Sequence, residues 1–314
     1  MKTAECCSGA PPVLEFDPNG NLVQSWGGPG QGYEWPQSNH GIFLDHKGNV
    51  WIGGNGAGDS HILKFTRNGK FIAQYGKAGV HRGPTNAEGL STYAGDSNDQ
   101  QNFGRVAKIF VDPRDNEAYI ADGYLNKRVA VLDADTGKMK RYWGAYGNKP
   151  DDRNLGPYNP DAPPAQQFRK PVHCADLAND GLLYVCDRVN DRLQVFRKDG
   201  TFVKEGFIAK RTGASGSVWD LAFSRDPQQQ YLFVVDGMNS RVWVVLRQTL
   251  EVVASFGDGG RQAGQFYGVH SIAIDSKGNL YTTETWEGKR LQKFVYRGIG
   301  TIPRQHQGVV WPRT

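Results

Sequence analysis

Short β-rich runs return along this chain in groups of four, each group taking about forty to sixty residues, and this repeat restricts the fold more than any other feature. The clearest group spans 168–208. Its runs lie at 173–177, 183–186, 192–196 and 202–203, with turns at Asn179-Asp180-Gly181 and Lys198-Asp199-Gly200. Four short strands per unit are the signature of a propeller blade rather than a helical solenoid. Equivalent groups occupy 37–76, 103–147, 215–257 and 266–314, while 12–27 supplies only the last two strands of a unit. Five and a half repeats predict an all-β, six-bladed β-propeller, one domain over 1–314, whose first blade is incomplete at the N-terminus. The length suits a large single core, and 40 glycines in 314 residues suit a turn-rich β protein.

The first strand of each propeller blade lines the central channel, so one column of that strand faces the axis from every blade. In that column the repeats carry His40 (Asn39-His40-Gly41-Ile42), Ala107, His173 (Val172-His173-Cys174-Ala175), Trp219 and His270 (Val269-His270-Ser271-Ile272). Histidine thus returns in every second repeat. Alternate blades of six stand about 120° apart, so three imidazoles are expected to converge on one axial point. Neutral imidazole binds zinc and related ions, and three protein ligands leave a fourth position open for water or substrate. Zinc is the first choice, with other divalent transition metals behind it. One such histidine alone would read as a satisfied polar group in a wet channel; three in register favour a metal. His46, His61, His81 and His306 fall in a turn, at an outer strand, in a long loop and in the tail, and are weaker candidates.

The formal net charge is +5, but Lys and Arg are scattered without a basic run, so no nucleic-acid partner is expected. No stretch has the apolar length of a membrane span, and Met1-Lys2-Thr3-Ala4-Glu5-Cys6-Cys7 has no apolar signal core. Because the chain opens partway through a blade, further sequence upstream is expected. Cys174 and Cys186 fall on the first two strands of one blade, where a disulfide and two small buried thiols are both open readings.

A second column follows the second strand: Asp122-Gly123-Tyr124-Leu125-Asn126-Lys127-Arg128, Asp187-Arg188-Val189-Asn190-Asp191-Arg192 and Asp236-Gly237-Met238-Asn239-Ser240-Arg241. The shared Asp, Asn and Arg read as turn closure, since chemistry would not recur in every blade. Tyr124 and Arg188 each occur once and are the informative members; as bland alternatives they are a rim aromatic and a blade-to-blade ion pair.

On these motifs the chain resembles the NHL-repeat propellers and, among them, the peptidyl-α-hydroxyglycine α-amidating lyases. The resemblance covers most of the chain at the level of repeats. It implies a zinc ion held by His40, His173 and His270, a catalytic tyrosine at Tyr124 in an Asp-Gly-Tyr-x-Asn-x-Arg segment, and a substrate-site arginine at Arg188. It implies a lyase that breaks the C–N bond of a carbinolamide, acting on a small-molecule or peptide-derived substrate as a monomer in a secreted or periplasmic setting. Two features depart from that family. A further active-site arginine belongs to a part of the first blade that is missing here, and Ser271 stands where the lyases have an aspartate contributing to a calcium site, so Ca2+ is not carried over. Tyr124, with an ordinary pKa of about 10, would need Arg188 and a nearby cation to act as a base near neutrality.

Two other functions fit the same sequence: a metal-dependent lactone or ester hydrolase, and a non-catalytic interaction propeller. Long segments at 77–102 and 147–167, rich in Gly, Pro, Asn and Asp, are expected to form a pocket rim if they lie on the channel face, with Tyr93, Tyr146 and Tyr158 as contacts. The apolar tail Gly308-Val309-Val310-Trp311-Pro312 is expected to complete the last blade or cover the gap in the first.

Overall fold

The repeats fold into antiparallel meanders because each run of alternating or continuous apolar residues ends in a turn that reverses the chain. In the computed structural model, which describes residues 9–87, 90–285 and 288–300, such a turn is seen at Asp45. Its carboxylate accepts the amides of Lys47 (2.9 Å) and Asn49 (2.8 Å), while Gly48 takes the left-handed φ of 77° that the reversal needs.

Four blades have four strands. They are β3 (Asn39–Leu44), β4 (Asn49–Gly54), β5 (His61–Thr66) and β6 (Phe71–Gly76); β9 (Val106–Asp112), β10 (Glu117–Asp122), β11 (Arg128–Asp133) and β12 (Met139–Trp143); β13 (Val172–Leu177), β14 (Leu183–Asp187), β15 (Arg192–Phe196) and β16 (Phe202–Phe207); and β17 (Asp220–Phe223), β18 (Tyr231–Asp236), β19 (Arg241–Leu246) and β20 (Val252–Phe256). A fifth blade has three described strands, β21 (Val269–Ile274), β22 (Leu280–Glu284) and β23 (Leu291–Phe294). β1 (Val13–Phe16) and β2 (Leu22–Trp26) form a separate two-stranded ladder. The fold is an all-β propeller in which the described residues form five blades, with β1–β2 as a small extra sheet beside them. Within the long segment 77–102 the chain adds a hairpin, β7 (Arg82–Thr85) and β8 (Ser91–Tyr93), where the sequence shows only an interruption. The tail at 308–312 lies outside the described residues, as do Cys6, Cys7 and His306.

The innermost strands pack side by side around the axis in the order β3, β9, β13, β17, β21. Each interface repeats one contact, in which a third-strand residue of one blade shares a core with a first-strand residue of the next. The pairs are Ile62 with Ile109, Val129 with Ala175, Leu193 with Leu221, and Val242 with Ile272. Among the described residues the ring does not close between β21 and β3. There Leu291, in the column of Ile62, is 55% exposed, and Ile42, in the column of Ile109, is 56% exposed. The β1–β2 ladder spans the rim of this gap. Val13 joins the Leu63 and Phe65 core on one side, Trp26 Nε1 donates to the Arg67 carbonyl (3.0 Å), and Lys293 Nζ reaches the Pro18 carbonyl from the other side (2.9 Å).

Cys174 and Cys186, paired directly across β13 and β14 with Cα atoms 4.8 Å apart, form a disulfide. The second-column residues close turns: Arg128 pairs with Asp122 (2.8 Å) and Arg192 with Asp187 (2.7 Å), both fully buried, while Asn126, Asn190 and Asn239 donate to Asp122, Asp187 and Asp236 respectively.

Candidate metal centre

Each histidine of the axial column sits at an irregularity of its strand. The register shifts between Asn39 and Ile42, between Val172 and Cys174, and between Val269 and Ser271. A β-bulge of this kind re-aims one side chain out of the regular alternation, and here the three rings turn to the axis. Their centroids stand 5.1 Å (His40–His173), 4.9 Å (His40–His270) and 4.8 Å (His173–His270) apart, and one ligand nitrogen from each lies within 4.8 Å of the others.

The backbone fixes two of the tautomers. His40 Nδ1–H donates to the Ala107 carbonyl (2.7 Å), and His173 Nδ1–H donates to the Trp219 carbonyl. In both cases the acceptor belongs to the axial column of the next blade. Nε2 is left as a bare lone pair in each ring, the state in which imidazole binds metals. His270 has only the Ser271 hydroxyl near its Nδ1, at 3.4 Å. Burial holds the His40 pKa down to about 4 and the His270 pKa down to about 3, and it pushes His173 well below the ordinary value; the nearby Arg188 charge adds to the shift in all three. All three rings are therefore neutral at pH 7.

Tyr124 lies against this cluster, its hydroxyl 2.9 Å from both His40 Nε2 and His173 Nε2. A phenol has one proton, so it can donate to one of these lone pairs and must face the other oxygen to nitrogen. A cation among the Nε2 atoms would satisfy every one of these lone pairs. The donor set thus fits a metal ion with a preference for imidazole.

Arg188 Nη1 donates to the Tyr124 hydroxyl at 3.3 Å, and the guanidinium stacks 4.4 Å from the Trp219 ring and 5.6 Å from that of Tyr124. Arg188 is buried, its Nε has no hydrogen-bond partner, and among the described residues no carboxylate pairs with it. Such a cation is costly to bury, and among the described residues it forms no blade-to-blade ion pair. The Tyr124 pKa is raised rather than lowered. Burial outweighs the opposing Arg188 charge and the hydrogen bonds from Arg188 and Asn55, so Arg188 alone does not bring the phenol toward neutrality.

A cavity of about 880 Å³ runs from the histidines toward the far ends of the inner strands, past Lys108, Asp176 and Asp220, and opens beside Ile42 and Leu291. Tyr124 and Arg188 follow the second strands of their blades and stand at the other end, where the inner strands begin. The rim tyrosines expected from the long segments do not line this cavity. Tyr93 lies 5.6 Å under Arg105, Tyr146 is bonded to Glu205 (2.9 Å) and Arg192 (2.9 Å), and the Tyr158 hydroxyl donates to the Lys210 carbonyl (2.9 Å). His46, His61 and His81 stay outside the cluster. Sequence reasoning missed Asn55 and the double role of Trp219, whose ring carries Arg188 while its carbonyl orients His173. The presence of Trp219 in the axial column was the available signal.

No family model matches the chain. It is 27% identical over 194 residues to rat peptidylglycine alpha-amidating monooxygenase, a match covering 62% of this chain and 17% of that protein. It is 26% identical over 307 residues to mouse NHL repeat-containing protein 3, covering 91% of this chain and 73% of that one. The chain spans about a sixth of the length of the amidating monooxygenases it matches. In fold it is similar to a protein of unknown function from Bacteroides caccae, with a TM-score of 0.54 at 12% identity over 91% of this chain and 87% of the other. The chain is a β-propeller distantly similar to an NHL-repeat protein and to the peptidylglycine α-amidating monooxygenases.

Proposed function

We propose that this propeller is a metal-dependent carbon–nitrogen lyase that cleaves carbinolamides of the N-acyl-α-hydroxyglycine class, with zinc as the first choice of ion and another divalent transition metal as the second. The observation that carries this reading is the Tyr124 hydroxyl, 2.9 Å from two histidine lone pairs, with the carboxylate-free guanidinium of Arg188 at 3.3 Å. The distant similarity to the amidating monooxygenases supports the same class.

His40, His173 and His270 would hold the ion through one nitrogen each. Bound there, it would supply Lewis acidity toward the substrate hydroxyl or lower the pKa of a coordinated water to about 7. Arg188 suits the carboxylate of an α-hydroxyglycine, because its planar fork can give two parallel hydrogen bonds and its Nε has no other partner. Tyr124 Oη, as the phenolate that a cation among the histidines together with Arg188 would favour, takes the proton of the carbinol hydroxyl. The O–H electron pair becomes the new C=O bond, the C–N pair leaves with nitrogen, and the nitrogen takes its proton back from Tyr124. The products are a primary amide and glyoxylate.

The test is elemental mass spectrometry of the wild type and His173→Ala, followed by glyoxylate release from an N-acyl-α-hydroxyglycine. About one metal per chain, absent in His173→Ala, is expected. Tyr124→Phe is expected to keep the metal and lose about 10²- to 10⁴-fold in kcat. A wild type that takes up no stoichiometric zinc, cobalt or copper would refute the lyase and favour a binding propeller.

A further inference from the structure

One layer along the channel from the histidines, three charged side chains from three blades meet. Lys108 Nζ donates to Asp176 Oδ2 at 2.8 Å and to Asp220 Oδ1. Asp220 also accepts the amide of Leu221 through Oδ1 (2.8 Å) and the amide of Ile272 in the fifth blade through Oδ2 (3.1 Å). Cys174 lies near both aspartates but is disulfide-bonded, so these residues are not a second metal-ligand set. Burial would lower the Lys108 pKa, and the two carboxylates more than reverse this, so the ammonium stays charged.

The positions in sequence matter as much as the contacts. Lys108 directly follows Ala107, whose carbonyl orients His40. Asp220 directly follows Trp219, whose carbonyl orients His173. Ile272, anchored by Asp220, lies two residues beyond His270. A single ion cluster therefore ties down the backbone on which all three imidazoles depend.

We propose that Lys108 is a positioning residue for the three-histidine centre, an internal cation that locks the Ala107 and Trp219 carbonyls, and through them the Nδ1–H tautomers of His40 and His173, by bridging Asp176 and Asp220. This rests on the metal reading above but reaches beyond it, because the tautomer lock exists in the metal-free protein. Lys108→Met keeps the length and removes the charge; Lys108→Gln keeps polarity and serves if the first variant does not fold.

The measurement is Co(II) affinity by chelator competition, with the ligand-field spectrum of the bound ion, beside long-range ¹H–¹⁵N correlation of the histidine rings in metal-free protein. Loss of an outer group that orients ligands typically weakens metal binding by about 10- to 100-fold, and that loss is expected here, with an altered Co(II) spectrum and partial restoration by methylammonium in Lys108→Ala. In the metal-free variants His40 and His173 are expected to show mixed tautomers where the wild type shows Nδ1–H alone. A folded variant with wild-type affinity, spectrum and tautomers overturns the proposal, even if its melting temperature has dropped. If the wild type itself binds no Co(II), the metal reading has failed, and the tautomers alone decide: retained Nδ1–H in the variants overturns the role of Lys108, and mixed tautomers uphold it.

Discussion

His40 and His173 each give their Nδ1–H to a carbonyl of the following blade, whereas His270 precedes the gap and has only a hydroxyl at 3.4 Å. The same contrast runs down the whole wall. From β9 to β21 the first-strand column is covered by the preceding blade; at the open side Ile42 faces the cavity and Leu44 is exposed. A propeller thus orients its axial ligands with its neighbours' backbone. Where the described residues offer no carbonyl of a following blade, the ligand is held by ring packing, here Trp219 at 5.3 Å and the other two histidines, beside the Ser271 hydroxyl.

The largest expected effect sets one column against itself. Ile109→Ala removes a fully buried side chain from the seam between the first two four-stranded blades and should cost about 2–5 kcal/mol of unfolding free energy. Ile42→Ala, in the equivalent place at the gap, should cost less than about 1 kcal/mol, as exposed positions do. Urea denaturation of both variants decides this. Equal losses would mean that the β3 face is covered in solution, and the contrast between the two sides would fall.

A second effect belongs to the closed arc alone. The Cys174–Cys186 disulfide joins the strand of His173 to the strand leading into Arg188. Replacing both cysteines by serine should lower stability by about 2–4 kcal/mol and raise KM more than the Ile42 variant does, because His173 and Arg188 lose their common tie. A double-serine protein with unchanged KM and denaturation midpoint would leave the disulfide without a part in the site.

How much of this was legible in the sequence follows from where each contact is encoded. The convergence of the axial histidines was legible because one column of the repeat carries them in every second blade, and Tyr124 and Arg188 stood out because each occurs once beside the shared Asp, Asn and Arg. The carbonyls of Ala107 and Trp219 were not legible, since a backbone acceptor leaves no mark on residue identity. Lys108 and Asp220 both directly follow the axial column but carry opposite charges, and Asp176 stands three residues beyond it, so no recurring residue type marked the three as a set; only the side-by-side packing of their blades brought them together. The rim tyrosines follow no column either: aromatic residues in long loops suggest a pocket rim, and of the three Tyr146 is held by Glu205 and Arg192 between blades.

The smallest effect separates the two sides by the sign of a pH dependence. Asp191, in the closed arc, has a left-handed φ of 52°, accepts the Ser217 amide (2.8 Å) and leaves Oδ2 buried without a partner. Burial raises its pKa to about 7, with the Ser217 bonds only partly opposing. The folded state then holds a proton that the unfolded state, with a pKa of about 3.9, gives up. Stability is therefore lost as pH rises from about 4 through 7 and does not return above it. Asp275, in the turn of the fifth blade beside the gap, behaves in reverse. Slight burial would raise it, but hydrogen bonds from Asn279 and Lys277 outweigh that and hold it down to about 2, so its contribution is present above pH 4 and lost as pH falls toward 2. Asparagine tolerates the backbone of Asp191. Asp191→Asn should raise the melting temperature by a few degrees at pH 8 and by almost nothing at pH 4, whereas Asp275→Asn should lower it at pH 8 and matter least in acid. Melting curves from pH 4 to 8 that shift Asp191→Asn by the same amount throughout would show that its carboxyl is ionised in the fold, and the buried seam would then be wetter than its packing implies.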